Sequence, residues 1–177
     1  MRNPIYTVSS PIWAAVSYTE SRFAVALKRL TPENVNWFLG RSWPSLLGVV
    51  GTLDEDGGPH LVPVWYRYDG EHIYIWTLAT RRWVKNLARD PRVAFSVQED
   101  KPPYAAVSLR GRAALMTGDG EEVGQEIRRI TRRYVEGPDV EEYIQKWAHL
   151  RTIVSITPDQ ISGWVDSDFL DQEGRSR

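Results

Sequence analysis

The chain has no cysteine, and its acidic and basic side chains are almost equal in number. Without cysteine there are no disulfides, thiolate metal sites or cysteine nucleophiles. With 22 Lys and Arg against 23 Asp and Glu, the formal net charge is −1. No overall field therefore draws the protein to nucleic acid or to an anionic membrane, and any anion-binding site must be local.

Long apolar runs are also missing from the first 30 residues. Polar residues between Ser17 and Arg22 interrupt the apolar stretches of this segment, so it resembles neither a signal peptide nor a membrane-spanning helix. We therefore expect a cytoplasmic protein. A length of 177 residues favours one domain, which we place at 30–165. The flanking segments are an N-terminal extension, 1–29, and a polar tail, 166–177.

The hydrophobic period predicts an antiparallel barrel. Asp69-Gly70 is the strongest hairpin signal in the chain, and the connections are too short to join parallel neighbours. After a predicted turn at 157–159, the chain ends in a last strand that closes the barrel and removes an exposed edge. The other predicted strands cover 45–53, 60–68, 72–78, 93–98 and 104–115.

Helices are predicted around this barrel. Thr31 and Pro32 are typical N-cap and first-turn residues of a helix that runs to about Leu39. Two later helices should begin at Asp119 and Asp139, because each aspartate has a glutamate three residues further on, as in a capping box.

A further predicted helix, 80–89, has a cationic face. At about 100° per residue, its four cations fall within a sector of roughly 100°. Thr80 can cap this helix, and the free N–H groups of its first turn add partial positive charge, so a phosphate fits there. No acidic residue lies within the segment, which weakens the alternative that the cations only solvate an exposed face. The four cations are Arg81, Arg82, Lys85 and Arg89.

Pro63 interrupts the second predicted strand. Because proline cannot donate to a sheet ladder, this strand must lie at an edge, at a bulge, or where its backbone faces something other than a strand. The backbone near Pro63 and Val64 is then free to contact a ligand ring, unless the proline serves only to protect an edge from aggregation. Alternation would place Trp65 on the face of Pro63, opposite Val64.

Two of these segments, together with the Asp69-Gly70 hairpin, match a family pattern. Pro63-Val64-Trp65-Tyr66 and Asn86-Leu87-Ala88-Arg89-Asp90-Pro91-Arg92-Val93 resemble the pyridoxamine 5′-phosphate oxidase-like split β-barrels. The chain is more similar to their flavin- or deazaflavin-dependent oxidoreductase branch than to pyridoxamine phosphate oxidase itself. The resemblance covers about 30–165. It implies a mainly β (α+β) fold, an antiparallel six-stranded split β-barrel, and a homodimer that binds FMN, or a deazaflavin coenzyme, between subunits.

The resemblance also implies where the cofactor ring lies. Thr77 and Thr80 would approach its ribityl and phosphate groups. The residues along the tricyclic ring would be Val62, Pro63, Val64 and Trp65.

At the phosphate end, the resemblance assigns Arg81, Lys85 and Asn86. The family often has a lysine where this chain has Trp83. The cationic role then passes to Arg82 or Lys85, or the phosphate is held differently.

The chain has 8 tryptophans, and such rings either fill a core or line a site for a flat ligand. We expect Trp65 and Trp164 beside the cofactor ring. In the family's dimers the closing segment can reach the partner's cofactor, which makes Trp164 a candidate second wall. The alternative is a place in the core of the last strand.

These features predict an oxidoreductase that transfers a hydride between the bound cofactor and a small conjugated or heteroaromatic substrate. Such chemistry belongs to the cofactor, and His60, His72 and His149 lack metal-ligand spacing. One alternative is a protein that binds or stores a flavin, a deazaflavin or a tetrapyrrole on the same barrel without turnover. Nucleic-acid binding through the cationic helix is another alternative, which the balanced charge disfavours.

Overall fold

The computed structural model describes residues 27–41, 45–102, 104–118, 120–147 and 152–166. The predictions for 1–26, for 167–177 and for a capping box at Asp119 lie outside the described residues. Along the chain the elements are β1 (Leu27–Arg29), α1 (Pro32–Gly40), β2 (Gly48–Leu53), β3 (Pro59–Val64), β4 (Arg67–Tyr68), β5 (Ile73–Thr77), α2 (Arg82–Arg89), β6 (Arg92–Gln98), β7 (Ala105–Thr117), α3 (Glu121–Thr131), α4 (Asp139–Lys146) and β8 (Thr152–Asp166).

These strands form one antiparallel sheet in the order β3-β2-β6-β7-β8-β5-β4, with β1 paired to the end of β8. The long pair β7 and β8 forms the spine, running from Ala105 opposite Val165 to Thr117 opposite Thr152. One half of the sheet is built on β7 through β6, and the other on β8 through β5. The predicted mainly β split barrel with helices is confirmed.

The strand pattern differs from the six predicted strands in three places. β1 lies in the segment interpreted as an extension. The predicted strand over 60–68 is two strands, because the chain leaves the sheet at Trp65 and Tyr66. The predicted turn at 157–159 is wrong: β8 is continuous, and Asp159 is an extra residue at a bulge where the register with β7 shifts.

Two of the predicted helix caps are wrong. α2 has Arg81 as its N-cap and no side chain caps it, so Thr80 does not cap this helix. α4 begins at Asp139, as predicted, but Pro138 takes the N-cap position and the predicted capping box does not form. By contrast, the Thr31 cap of α1 is confirmed.

The main core lies between the inner face of the sheet and helices α1 and α2. Ile73, Ile75 and Ile156 are fully buried within it. Trp83 and Leu87 are each 3% exposed and attach the apolar face of α2 to this core. The cationic face of α2 is therefore turned outward. Helix α3 packs on a second cluster, formed by Val123, Ile127, Ile130 and Ile153.

We expect Gly111→Ala to destabilise the fold at the β7–β8 bulge. A Cβ on residue 111 would lie 2.1 Å from the carbonyl oxygen of Thr157 and 2.9 Å from Cα of Pro158. Overpacking of this kind costs about 1–3 kcal/mol, measured as the free energy of unfolding in denaturant. Gly40→Ala is the control, since its Cβ would meet nothing within 4 Å. Equal unfolding free energies for the two variants would contradict the close approach of the strands.

Candidate functional site

A cavity of about 570 Å³ lies between β3, the end of β5, the start of α2 and the two helices α3 and α4. It brings together most of the residues predicted to bind a cofactor: Val62, Pro63, Val64, Trp65, Thr77, Arg81 and Arg82. The sequence reasoning missed the other lining residues, which are His60, Trp76, Trp83, Ile130, Tyr143 and Trp147. Thr80, Lys85, Asn86 and Trp164 do not line it.

Strand β3 forms one wall of the cavity and, among the described residues, is an edge of the sheet that pairs with β2 alone. Pro63 therefore lies on an edge strand, as predicted, opposite Val49. A proline is tolerated here because its nitrogen can face the open edge. Val64, the last residue of β3, packs against the main core, whereas Trp65 packs against the second cluster, although both line the cavity.

Tyr134, three residues after the end of α3, holds Trp65 in this wall. The two rings stack with centroids 4.8 Å apart and an interplanar angle of 6°. The Tyr134 hydroxyl accepts a hydrogen bond from the Tyr66 N–H at 3.1 Å and donates to the Leu46 carbonyl at 3.0 Å. Tyr134 therefore fixes both the ring and the backbone of the segment that leaves β3.

Arg133 connects the same segment to α1. Its guanidinium donates to the carbonyl oxygens of Leu39, Gly40 and Arg41, where a cation is favoured at the C-terminal end of a helix. It also lies 4.9 Å from the centre of the Tyr66 ring. Burial raises the pKa of Tyr66, whose protonated hydroxyl donates to Leu39 O at 3.1 Å.

Aromatic rings from three elements meet at the Trp65 end of the cavity. Tyr143 of α4 stacks on Trp65 at 5.3 Å. It also contacts Trp76 of β5 edge-on at 6.3 Å, and the following Trp147 at 6.4 Å. We call this group, completed by Ile130, the aromatic end of the cavity. The i, i+4 spacing of Tyr143 and Trp147 is visible in the sequence, where it indicates only an apolar helix face.

Arg82 marks the other end of the cavity, and Asp54 orients it. The Arg82 guanidinium donates to both carboxylate oxygens of Asp54, at 2.8 and 2.5 Å. The Asn86 amide donates to the same carboxylate at 2.8 Å and to Thr52 Oγ1 at 3.1 Å. The hydrogen bond from Asn86, followed by the interaction with Arg82, lowers the pKa of Asp54 against the effect of desolvation. Asn86 is 4% exposed, so it lies deeper in the protein than the exposed Arg82.

The start of α2 adds positive charge to this end. Arg81 is exposed, lines the cavity and has no ion-pair partner among the described residues. The backbone N–H groups of Arg82 and Trp83 have no acceptor in the described part of the chain, and N–H groups in the first turn of a helix favour an anion. We call this group the cationic end of the cavity. Lys85 is exposed on the next turn, outside the lining.

Trp164 lies away from the cavity. It sits on β8 opposite Ala106 and is 40% exposed. Its neighbour but one, Ser162, lines a groove on the outer face of the sheet, and residues two apart on a strand share a face. Trp164 therefore belongs to the outer face, and its predicted contact with a partner's cofactor stays a prediction.

Within the described ranges, no group of three His, Asp or Glu side chains is placed to hold a metal ion. Within the same ranges, no helix is both long and apolar enough to cross a membrane.

The antiparallel sheet, with a cavity that is cationic at one end and aromatic at the other, defines a split-barrel protein with a candidate ligand site beside β3. The sequence model of the family described as pyridoxamine 5′-phosphate oxidase matches residues 44–165. The chain belongs to this family.

Solved structures share the fold. The conserved hypothetical protein Rv2991 from Mycobacterium tuberculosis is 25% identical, with a TM-score of 0.66 over 85% of this chain and 92% of that one. A FAD-binding protein from Mesorhizobium loti is 18% identical, with a TM-score of 0.61 over 80% and 99% of the two chains. An F420 reductase is 24% identical, with a TM-score of 0.54 over 70% and 92%. The comparison with curated proteins finds no match.

We expect Tyr134→Phe to weaken the fold while keeping the ring stack on Trp65. The substitution leaves the Tyr66 N–H without its acceptor, and an unsatisfied buried donor costs about 1–3 kcal/mol. The free energy of unfolding measures this loss. Tyr104→Phe is the control, because Tyr104 is 46% exposed and should change stability little. A Tyr134→Phe variant as stable as the control would show that the hydroxyl does not hold this segment.

Proposed function

We propose that this protein is a flavin-dependent oxidoreductase that binds FMN in the cavity beside β3 and transfers a hydride between the flavin and a small conjugated or heteroaromatic substrate. One observation supports this above all. An edge strand with apolar side chains and a cationic helix start, where Arg81 has no ion-pair partner among the described residues, line the same cavity.

The residues present fit the two chemical parts of FMN. Arg81, Arg82 and the free N–H groups at the start of α2 suit a phosphate. Val62 and Val64, on the edge strand, suit a flat tricyclic ring, and Thr77 lines the same cavity. When bound, a flavin supplies the hydride chemistry, and the protein contributes binding, orientation and the exclusion of water. Asp54 contributes by orienting the guanidinium of Arg82.

A deazaflavin coenzyme is the alternative cofactor. Among the structural relatives, one is named a FAD-binding protein and another an F420 reductase, and F420 is a deazaflavin with a phosphate in its side chain. The cationic end suits either phosphate. Titration of the purified protein with FMN and with F420, followed by tryptophan fluorescence, separates them. We expect saturable quenching by one of them at tens of micromolar or below, and no quenching by either would refute the proposal.

Binding without turnover is the second candidate function. It is favoured by the lining of the cavity, which contains one imidazole, His60, and no carboxylate, so the protein offers few groups for proton transfer. The two functions differ in the fate of a reduced cofactor. An oxidoreductase reoxidises it with an added aromatic acceptor faster than the free cofactor reacts, whereas a storage protein slows that reaction.

We expect Arg81→Ala to weaken cofactor binding by about 1–3 kcal/mol, the scale of a hydrogen bond to a charged group. Lys85→Ala should have a smaller effect, because Lys85 does not line the cavity. Lys101→Ala removes the same charge from an exposed turn between β6 and β7 and is the control. The dissociation constants come from the fluorescence titration. Equal affinities in all three variants would show that the cations of α2 form a solvated face and do not bind the cofactor.

The outer face of the sheet supports the proposed homodimer. It carries large apolar side chains that are exposed in the single chain: Leu61 at 67%, Leu47 at 50% and Val49 at 36%. Between them runs a shallow groove lined by small residues, including Gly51 and Ala94. A second copy of the chain would cover this patch. Because β3 has the cavity on one side and Leu61 on the other, such a dimer lies next to the cofactor site.

We expect the protein to be a dimer at micromolar concentration and Leu61→Asp to make it a monomer, since a carboxylate would be buried in the interface. Light scattering measures the mass. The control is Met116→Asp, which replaces a side chain that is 37% exposed near the far end of β7. A monomeric wild-type protein would remove the intersubunit site, and with it the proposed role of Trp164.

A further inference from the structure

The aromatic end of the cavity extends beyond the part assigned to the cofactor. His60, near Asp54 at the cationic end, is five positions before Trp65 at the aromatic end. This spacing corresponds to about 16 Å along a strand. The inference rests on the proposed function, in which the phosphate lies at α2 and the ring lies along Val62 to Val64. A second flat molecule would then lie beyond Val64, among the side chains of the aromatic end.

The rings at this end are not simply core. In the cluster beneath α3, Ile127, Ile130 and Ile153 are almost completely buried. Trp65 and Tyr143, by contrast, are only half-buried, although both line the cavity. Helix α4 places a single residue, Val140, fully in the interior. Its aromatic side chains therefore keep surface for a ligand.

The lining of this end favours a neutral ligand, and the Lys146 ammonium lies beside it, 5.7 Å from the centre of the Trp147 ring. The lining consists of Trp65, Trp76, Ile130, Tyr143 and Trp147, and none of these carries a charge. Transfer of an ionised group into such surroundings is costly, whereas aromatic pairs gain from stacked or edge-on contact.

Tyr143 adds one directional group to this end. Its hydroxyl has no hydrogen-bond partner among the described residues and, like that of any tyrosine, is protonated at neutral pH, where it can donate. A carbonyl, nitro or ring-nitrogen acceptor on the ligand would satisfy it.

We propose that the aromatic end is the substrate position, and that it takes an uncharged planar aromatic compound with a hydrogen-bond acceptor directed to the hydroxyl of Tyr143. Tyr143 and Trp147 then give α4 a part in substrate selection that is separate from the phosphate-binding part of α2.

The test uses the protein saturated with oxidised FMN, or with F420 if that is the coenzyme it binds, and two probes. Chromone is neutral and planar with one carbonyl, and chromone-2-carboxylate is its anionic match. Isothermal titration calorimetry measures the affinity of each probe, and cofactor affinity is measured separately in every variant. We expect chromone to bind at least tenfold more tightly than the carboxylate.

Three variants locate the probe. Tyr143→Leu removes the ring and should weaken chromone binding roughly fivefold or more, and Tyr143→Phe removes the hydroxyl alone and should weaken it roughly threefold or more. Both should leave cofactor affinity within about twofold of wild type. Tyr104→Leu, at a tyrosine outside the cavity, should change neither affinity.

Several results would overturn this inference. Absent chromone binding, preferred binding of the carboxylate, or unchanged chromone affinity in Tyr143→Leu would remove the substrate position from this end. An equal loss of cofactor affinity in Tyr143→Leu would assign the aromatic end to the cofactor ring instead. If the protein binds neither FMN nor F420, the proposed function itself is wrong, and the separate cofactor titration identifies this case.

Discussion

The cavity depends on the way strand β3 ends. At Trp65 and Tyr66 the chain leaves the sheet, and the Tyr134 hydroxyl takes over a backbone N–H that a neighbouring strand would otherwise pair. Because the Tyr134 ring also stacks on Trp65, one residue fixes a backbone and a wall of the site together. Arg133 ties the same point to the end of α1. Helices α3 and α4 are thereby held near the open edge of β3, with space between.

The parts of this arrangement that could be predicted from the sequence are those set by single residues and short periods. A proline in a strand requires an edge or an irregularity, and β3 with Pro63 is an edge. The 3.6-residue period places Trp83 opposite the cations of α2, and Trp83 is buried. Asp69-Gly70 predicts a hairpin, and β4 pairs with β5 around it.

The parts that could not be predicted are contacts between residues far apart in sequence. Asp54 neutralises part of the charge of α2, although it precedes Arg82 by 28 residues, and a search within the helix for acidic partners does not find it. Tyr134 is 68 residues from Tyr66. Alternation also holds only within a strand, and Trp65 lies one residue beyond the end of β3. Tertiary packing decides such features, and short sequence windows do not contain it.

The central claim is that one cavity holds the phosphate of the cofactor at the start of α2 and its ring against the edge of β3. A crystal structure of the complex with the flavin or deazaflavin that binds tests it most directly. The account predicts a phosphate oxygen within hydrogen-bond distance of the N–H groups of Arg82 or Trp83 and of the Arg81 guanidinium, with the ring beside Val62 and Val64. A cofactor found in the groove on the outer face of the sheet, or with its phosphate at the aromatic end, would contradict it.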